Sequence, residues 1–166
     1  MKSTESLEGA PSILHVRNGT VEDLPFIFEQ ESRADYRHLI FRWPEEKHRG
    51  HLTDPAKRYR VLEAHDGTRL GYAILGNLLG KRPLLIRLVA AMSGQGVGRT
   101  LLADAIDHVF NKTTAPALYL DVFPDNHRAI TLYQKFGFKE AIRLRRVTTI
   151  NGEERPLMVM VLERPK

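Results

Sequence analysis

Apolar and polar positions change rhythm along this chain, and the changes mark its elements. Ile13-Leu14-His15-Val16-Arg17 alternates as a half-buried strand does, and Asn18-Gly19 closes it. Thr20 with Asp23 three positions on reads as a capping pair for a helix carrying Leu24, Ile27 and Phe28 on one face. Pro25 fits only in the first turn of that helix. A second short helix is predicted over Asp35 to Phe41, stopped by Trp43-Pro44. Residues 44–57, rich in His, Arg, Lys and Glu, read as a polar loop. Tyr59 to His65 and Leu70 to Leu79 form a hairpin about Asp66-Gly67. Leu84 to Ala91 is the next strand, and its near-continuous apolar character predicts burial on both faces.

The period then lengthens. Gly98 to Phe110 is helical, with Leu101, Leu102, Ala105, Ile106, Val109 and Phe110 in one apolar stripe. Ala117 to Phe123 returns to strand spacing. His127 to Phe136 is a short helix with Ala129, Leu132, Tyr133 and Phe136 on one face. Phe138 to Ile150 and Pro156 to Leu162 make a closing hairpin about Asn151-Gly152. The order strand–helix–helix–three strands–helix–strand–helix–two strands describes an α/β or α+β domain with a mixed sheet. Residues 1–11, polar and small and ending Gly9-Ala10-Pro11, read as a flexible lead-in to a single domain over 12–166.

Composition narrows the class. The chain has 166 residues, 42% hydrophobic and 27% charged, an ordinary globular balance and one domain's worth of polypeptide. It has no cysteine, which excludes a disulfide framework, a thiolate zinc site and a catalytic thiol. The apolar run Leu84 to Met92 is interrupted by Arg87 and falls well short of the roughly 20 residues that span a bilayer. No apolar segment follows Met1 to Ser6 as in a secretion signal, so a cytoplasmic location without membrane attachment is expected. Lys and Arg number 25 against 20 Asp and Glu, a formal charge of +5. That surplus suits nucleic acid, an acidic protein or a polyphosphate cofactor as readily as a solvated surface.

Two stretches carry chemistry. Ser93-Gly94-Gln95-Gly96-Val97-Gly98-Arg99-Thr100 lies between a strand and a helix, where small residues let backbone amides approach an anion beside a helix N-terminus. The same glycines would also serve a tight turn. A nucleoside-triphosphate loop is excluded because Arg99 follows Gly98. A dinucleotide fold is excluded because the glycines run G-x-G-x-G in mid-chain. The second stretch runs from Leu120 to Phe138. Asn126 closes a strand and opens a helix there, a place from which its amide bonds a ligand or caps the helix. Tyr133 in isolation is either a packed aromatic or a proton donor.

Together these stretches resemble the GCN5-related N-acetyltransferase (GNAT) superfamily. The resemblance rests on the loop Gln95-Gly96-Val97-Gly98-Arg99 after an apolar strand. It rests equally on the signature N-x-x-A-x-x-L-Y-x-x-x-G-F, met by Asn126, Ala129, Leu132, Tyr133, Gly137 and Phe138. The element order agrees over about residues 12–163, nearly the whole chain. The fold so implied is three-layered, with a mixed sheet of about seven strands splayed between the fourth and fifth and flanked by about four helices.

The resemblance also implies roles. Acetyl-CoA would lie in the splay as co-substrate, without a metal. The backbone of Leu88, Val89 and Ala90 would bond its pantetheine arm, the amides from Gly94 through Gln95, Gly96, Val97, Gly98 and Arg99 to Thr100 would hold the diphosphate, and Asn126 would touch the pantetheine. Arg128 or Lys135 would lie near the nucleotide phosphates. Tyr133 would protonate the departing thiolate. Relatives place a glutamate on the strand mapped to Leu84–Ala91, but no carboxylate stands there in this chain. Asp121, alternating with Leu120 and Val122, points to the cleft if those two face the core, and is a candidate base beside a water chain. Ser93 replaces the usual Arg or Gln, and the common proline is missing from Val89-Ala90-Ala91-Met92. In the latter respect the chain is similar to members that acetylate small amines.

The acceptor site is expected in residues 29–57 and the terminal hairpin. Glu29, Glu31, Asp35, Glu45 and Glu46 are candidates to receive a cationic amine, and Tyr36 and Trp43 to stack on it. His48 and His51 have no third metal ligand spaced nearby. The leading expectation is transfer of an acetyl group to a primary amine of a small molecule. Alternatives are the N-terminus of a protein or peptide and a non-catalytic acyl-CoA-binding module. No aromatic-rich basic motif points to nucleic acid, and a homodimer is left open.

Overall fold

A computed structural model describes residues 14–150 and 152–166. The lead-in 1–11, Ile13 of the first predicted strand and Asn151 of the last turn lie outside the described residues. Seven strands form one sheet: β1 (His15–Asn18), β2 (Arg58–Glu63), β3 (Arg69–Gly76), β4 (Leu84–Ala90), β5 (Ala117–Val122), β6 (Lys139–Ile150) and β7 (Glu153–Glu163), in the order β1-β2-β3-β4-β5-β7-β6. All neighbours are antiparallel except β4 and β5. Helices α1 (Leu24–Glu31) and α2 (Glu45–Thr53) cover one face, and α3 (Val97–Lys112) and α4 (His127–Lys135) the other. The expected three-layer arrangement is therefore present.

Each face has its own core. Leu101, Leu102, Ala105 and Val109 of α3 pack on Leu62, Ala73, Leu75, Leu118 and Leu120. On the other side Leu24 and Ile27 of α1 pack on Tyr59, Val61, Tyr72 and Ile74. Gly71 allows the close approach of α3: a Cβ there would lie 2.5 Å from the Val89 carbonyl and 2.6 Å from Val97 Cγ1. The buried Asp23 carboxylate takes the Thr20 N–H at 2.8 Å and ion pairs from Arg17 (2.7 Å) and Arg69 (2.6 Å), which anchors the entry to α1.

Two predicted elements differ. The segment 44–57 is not a loop throughout: Glu45 to Thr53 is helical, and only His48 of that helix is buried. Its outward residues are polar, so no apolar stripe announced it. The predicted helix over Asp35 to Phe41 is confined to a single 3-10 turn, Ala34–Tyr36. β4 also departs from burial on both faces. Only Leu85, Arg87 and Val89 are buried; Leu84, Ile86, Leu88 and Ala90 are partly exposed.

Candidate active site

An opening in the sheet comes from strand pairing. β4 and β5 are matched only at Leu84 with Tyr119 and Leu85 with Leu120, after which they part into a wedge. Ile86 is an extra residue against β3, where Ile74 faces Arg87 and Leu75 faces Leu85. This bulge puts Leu85 in the α3-side core and Val89 in the α1-side core, although their spacing alone would put them on one face. Ala91 donates its N–H to Leu70 at 2.8 Å. By alternation Val89 also turns its backbone groups to β3, while Leu88 and Ala90 turn theirs to the wedge. Of the three predicted pantetheine contacts, Val89 therefore serves the sheet rather than the opening. Ala90 is engaged too: the Tyr36 hydroxyl receives its N–H at 3.1 Å, and Arg33 Nη1 donates to its carbonyl at 2.9 Å.

At the end of β4 the loop turns into α3. Gly94 and Gly96 have φ of 76° and 73°, and a Cβ on either would meet no protein atom within 4 Å. The loop therefore presents an open face, and the first amides of α3 have no partner within the helix. A diphosphate fits this cradle of donors at a helix N-terminus. Gln95 and Arg99 are exposed and Val97 is buried beneath the loop. Thr100 stands apart from the expected set: its amide and hydroxyl both donate to the Gly96 carbonyl at 3.0 Å, so its N–H belongs to the helix ladder.

A cavity of about 250 Å³ fills the wedge, and Asp121, Asn126 and Tyr133 all line it. Asn126 caps α4 by accepting the Ala129 N–H on Oδ1 at 3.3 Å, and its side-chain N–H groups have no hydrogen-bond partner among the described residues. Tyr133 is 8% exposed and rests on Phe138, ring centres 5.7 Å apart. Its hydroxyl has no partner among the described residues, and burial, with Tyr36 nearby, holds the phenol well above its ordinary range. Leu120 and Val122 belong to the α3-side core, so Asp121 turns the other way, into the cavity. Its Oδ1 is buried without a hydrogen bond, with Arg146 Nε no nearer than 3.6 Å. Burial pushes its carboxyl above the ordinary carboxylate range, and the Arg146 charge only partly opposes this.

The facing wall holds a buried polar network that periodicity did not reveal. Arg87, 7% exposed, stacks over Trp43 with 3.8 Å to the ring centre and donates to Glu31 and to the Phe41 carbonyl. Glu31 also accepts the Tyr72 hydroxyl at 3.0 Å and His48 Nε2 at 3.2 Å, and His48 Nδ1 meets the Tyr59 hydroxyl at 2.7 Å. Burial raises the Glu31 carboxyl, but the His48 bond, the Arg87 charge and the Tyr72 bond outweigh it and hold it below the ordinary range. The only sequence signal was an arginine inside an apolar strand. Of the acids expected to meet an amine, Glu31 is engaged by Arg87, His48 and Tyr72, Asp35 pairs with Arg33 at 2.6 Å and Glu45 with Arg49 at 2.7 Å. Glu29 and Glu46 do not line the cavity. Among the described residues no three His, Asp or Glu side chains meet as metal ligands, and no helix is long and apolar enough to cross a membrane.

The model of the acetyltransferase (GNAT) family matches residues 17–138. The chain is 32% identical over 135 residues to the ribosomal protein bS18-alanine N-acetyltransferase of Escherichia coli (strain K12), covering 80% of this chain and 86% of that one. It is 27% identical over 154 residues to the spermidine N(1)-acetyltransferase of Vibrio cholerae, covering 87% and 89%. The crystal structure of spermidine N-acetyltransferase from Vibrio cholerae in complex with CoA and spermine superposes with a TM-score of 0.77 at 26% identity, over 90% of this chain and 95% of that one. The chain belongs to the GNAT acetyltransferase family, and is an N-acetyltransferase with acetyl-CoA as its acyl donor.

Proposed function

We propose that this enzyme acetylates the primary amine of a small molecule by direct attack, with Asp121 receiving the proton of the ammonium, and Tyr133 donating a proton to the departing sulfur and recovering one from the nitrogen of the forming amide. The observation that carries this reading is that Asp121 and Tyr133 line one cavity, the Asp121 Oδ1 facing only the Arg146 charge at 3.6 Å without a hydrogen bond and the Tyr133 hydroxyl having no hydrogen-bond partner among the described residues. An alkylammonium has a pKa of about 10, so it must lose a proton before attack. A carboxylate raised by burial accepts that proton more readily than an exposed one. The raised phenol stays protonated and ready to donate where negative charge develops. Bound acetyl-CoA supplies the activated thioester. Free amides between Gly94 and Arg99 hold its diphosphate, Leu88 aligns its arm, and the Asn126 amide steadies the arm from α4.

The test is a thiol-release assay with a panel of primary amines, with acetylated products identified by mass. Gly96→Glu, which puts bulk and negative charge in the cradle, should remove acetyl-CoA binding. Transfer to an alanine-initiated peptide but to no small amine would support the second reading, an N-terminal protein acetyltransferase, which the identity to the bS18-alanine enzyme favours. Acetyl-CoA binding with no transfer to any acceptor would leave only a binding module.

A further inference from the structure

Beside the acyl cavity lies a second cavity of about 320 Å³, and the two share Ile40 and Phe41 as a common wall. Among the described residues three arginines, Arg33, Arg37 and Arg42, line it, with Glu31 as the one acid. Glu31 is already paired with Arg87 and also engaged by His48 and Tyr72, so its charge is matched away from these three arginines. Arg33 is occupied by Asp35, Gln30 and the carbonyls of Ala90 and Ala91. Arg37 and Arg42 have no ion pair or hydrogen bond among the described residues.

We infer, on the basis of the transferase reading above, that the acceptor is an amine carrying an anionic group, a carboxylate or a phosphate, which Arg37 and Arg42 bind while the amine reaches Asp121. The charge pattern of the two cavities supports this assignment. Asp121 is the single carboxylate lining the acyl cavity among the described residues, which suits one ammonium, the reacting one. A polyamine would bring further ammonium groups against unpartnered guanidinium groups, and like charges repel there. An oxyanion instead satisfies both arginines through charge-assisted hydrogen bonds.

The experiment compares matched amines at saturating acetyl-CoA: γ-aminobutyrate with butylamine, and phosphoethanolamine with ethanolamine. The expected result is a kcat/KM at least about tenfold higher for the anionic member of one pair, the pair itself telling carboxylate from phosphate. That ratio should fall toward one in R37Q/R42Q and with rising salt, and largely return in R37K/R42K. Equal or inverted ratios in both pairs overturn the inference and leave the transferase reading standing. So does a ratio untouched by R37Q/R42Q. Acetyl-CoA binding, seen by calorimetry, without transfer to any of the four amines also overturns the inference alone. Absence of both binding and transfer overturns the transferase reading itself.

Discussion

The Tyr36 hydroxyl both receives the Ala90 N–H, at 3.1 Å, and donates to the Ala90 carbonyl, at 3.0 Å. One side chain thereby fastens the 3-10 turn 34–36 to the edge of β4 that faces the wedge, and Arg33 reinforces it on Ala90 and Ala91. The turn is a wall of the acyl cavity, so its position sets the acceptor's space. Of the β4 backbone groups turned to the wedge, those of Ala90 are thereby engaged within the protein. Tyr36→Phe loses both bonds and should raise the acceptor KM roughly fivefold while leaving acetyl-CoA affinity within about twofold. Tighter acetyl-CoA binding in calorimetry would mean instead that Tyr36 competes with the arm.

Tyr133→Phe removes only an oxygen that has no hydrogen bond among the described residues. The ring still packs on Phe138, so the fold and acetyl-CoA affinity should be kept. Loss of the proton donor should lower kcat roughly 100-fold. Single-turnover rates alongside acetyl-CoA binding separate the two effects. An unchanged kcat would remove Tyr133 from the chemistry and return it to the core.

Much of the framework follows from local pattern. The stripe Leu101, Leu102, Ala105, Val109 can bury only as a helix, and the Gly94–Gly98 loop and the Asn126–Phe138 signature lie on contiguous residues, so both could be read in one dimension. The remainder depends on partners distant in sequence. α2 carries one buried residue, His48, and its reason for burial is Glu31 and Tyr59 on other elements. Leu39, Ile40 and Phe41 have apolar character suited to a helix, but Arg87 takes the Phe41 carbonyl and Tyr36 is tied to Ala90. The bulge at Ile86 is defined only by register against β3, and it decides which way Arg87 faces. A one-residue slip of this kind leaves no mark on hydrophobic spacing.

Asp121→Asn separates function from stability. Burial raises the Asp121 carboxyl, so the fold favours its neutral form. For a raised acid, stability is greatest below the unfolded pKa of about 3.9 and declines as pH rises through the folded value. Removing the charge should therefore keep or slightly raise the Tm at pH 7. Activity moves the other way. The wild-type kcat/KM profile should lose rate on acidification around a midpoint above the ordinary carboxylate range, and the variant should be slow with that acid limb gone. A variant that keeps the limb would assign the base to another group or to water.

Glu31 and Arg87 test whether the buried network is a matched unit. Both are nearly without solvent, so Glu31→Gln leaves a buried guanidinium without its counter-charge and should cost about 3–5 kcal/mol in urea unfolding. Arg87→Met leaves a carboxylate that His48 and Tyr72 still engage, and should cost less. The double variant E31Q/R87M removes both charges, and its loss should fall short of the sum by at least about 1 kcal/mol. The pH dependence carries the same information with a definite sign. The Glu31 carboxyl is held below its ordinary range, so its contribution is present above the unfolded pKa of about 4.3 and is lost as pH falls through the folded value. Wild-type stability should therefore fall more steeply below pH 4 than that of Glu31→Gln. Parallel curves, or additive single and double losses, would show that the two charges are held independently.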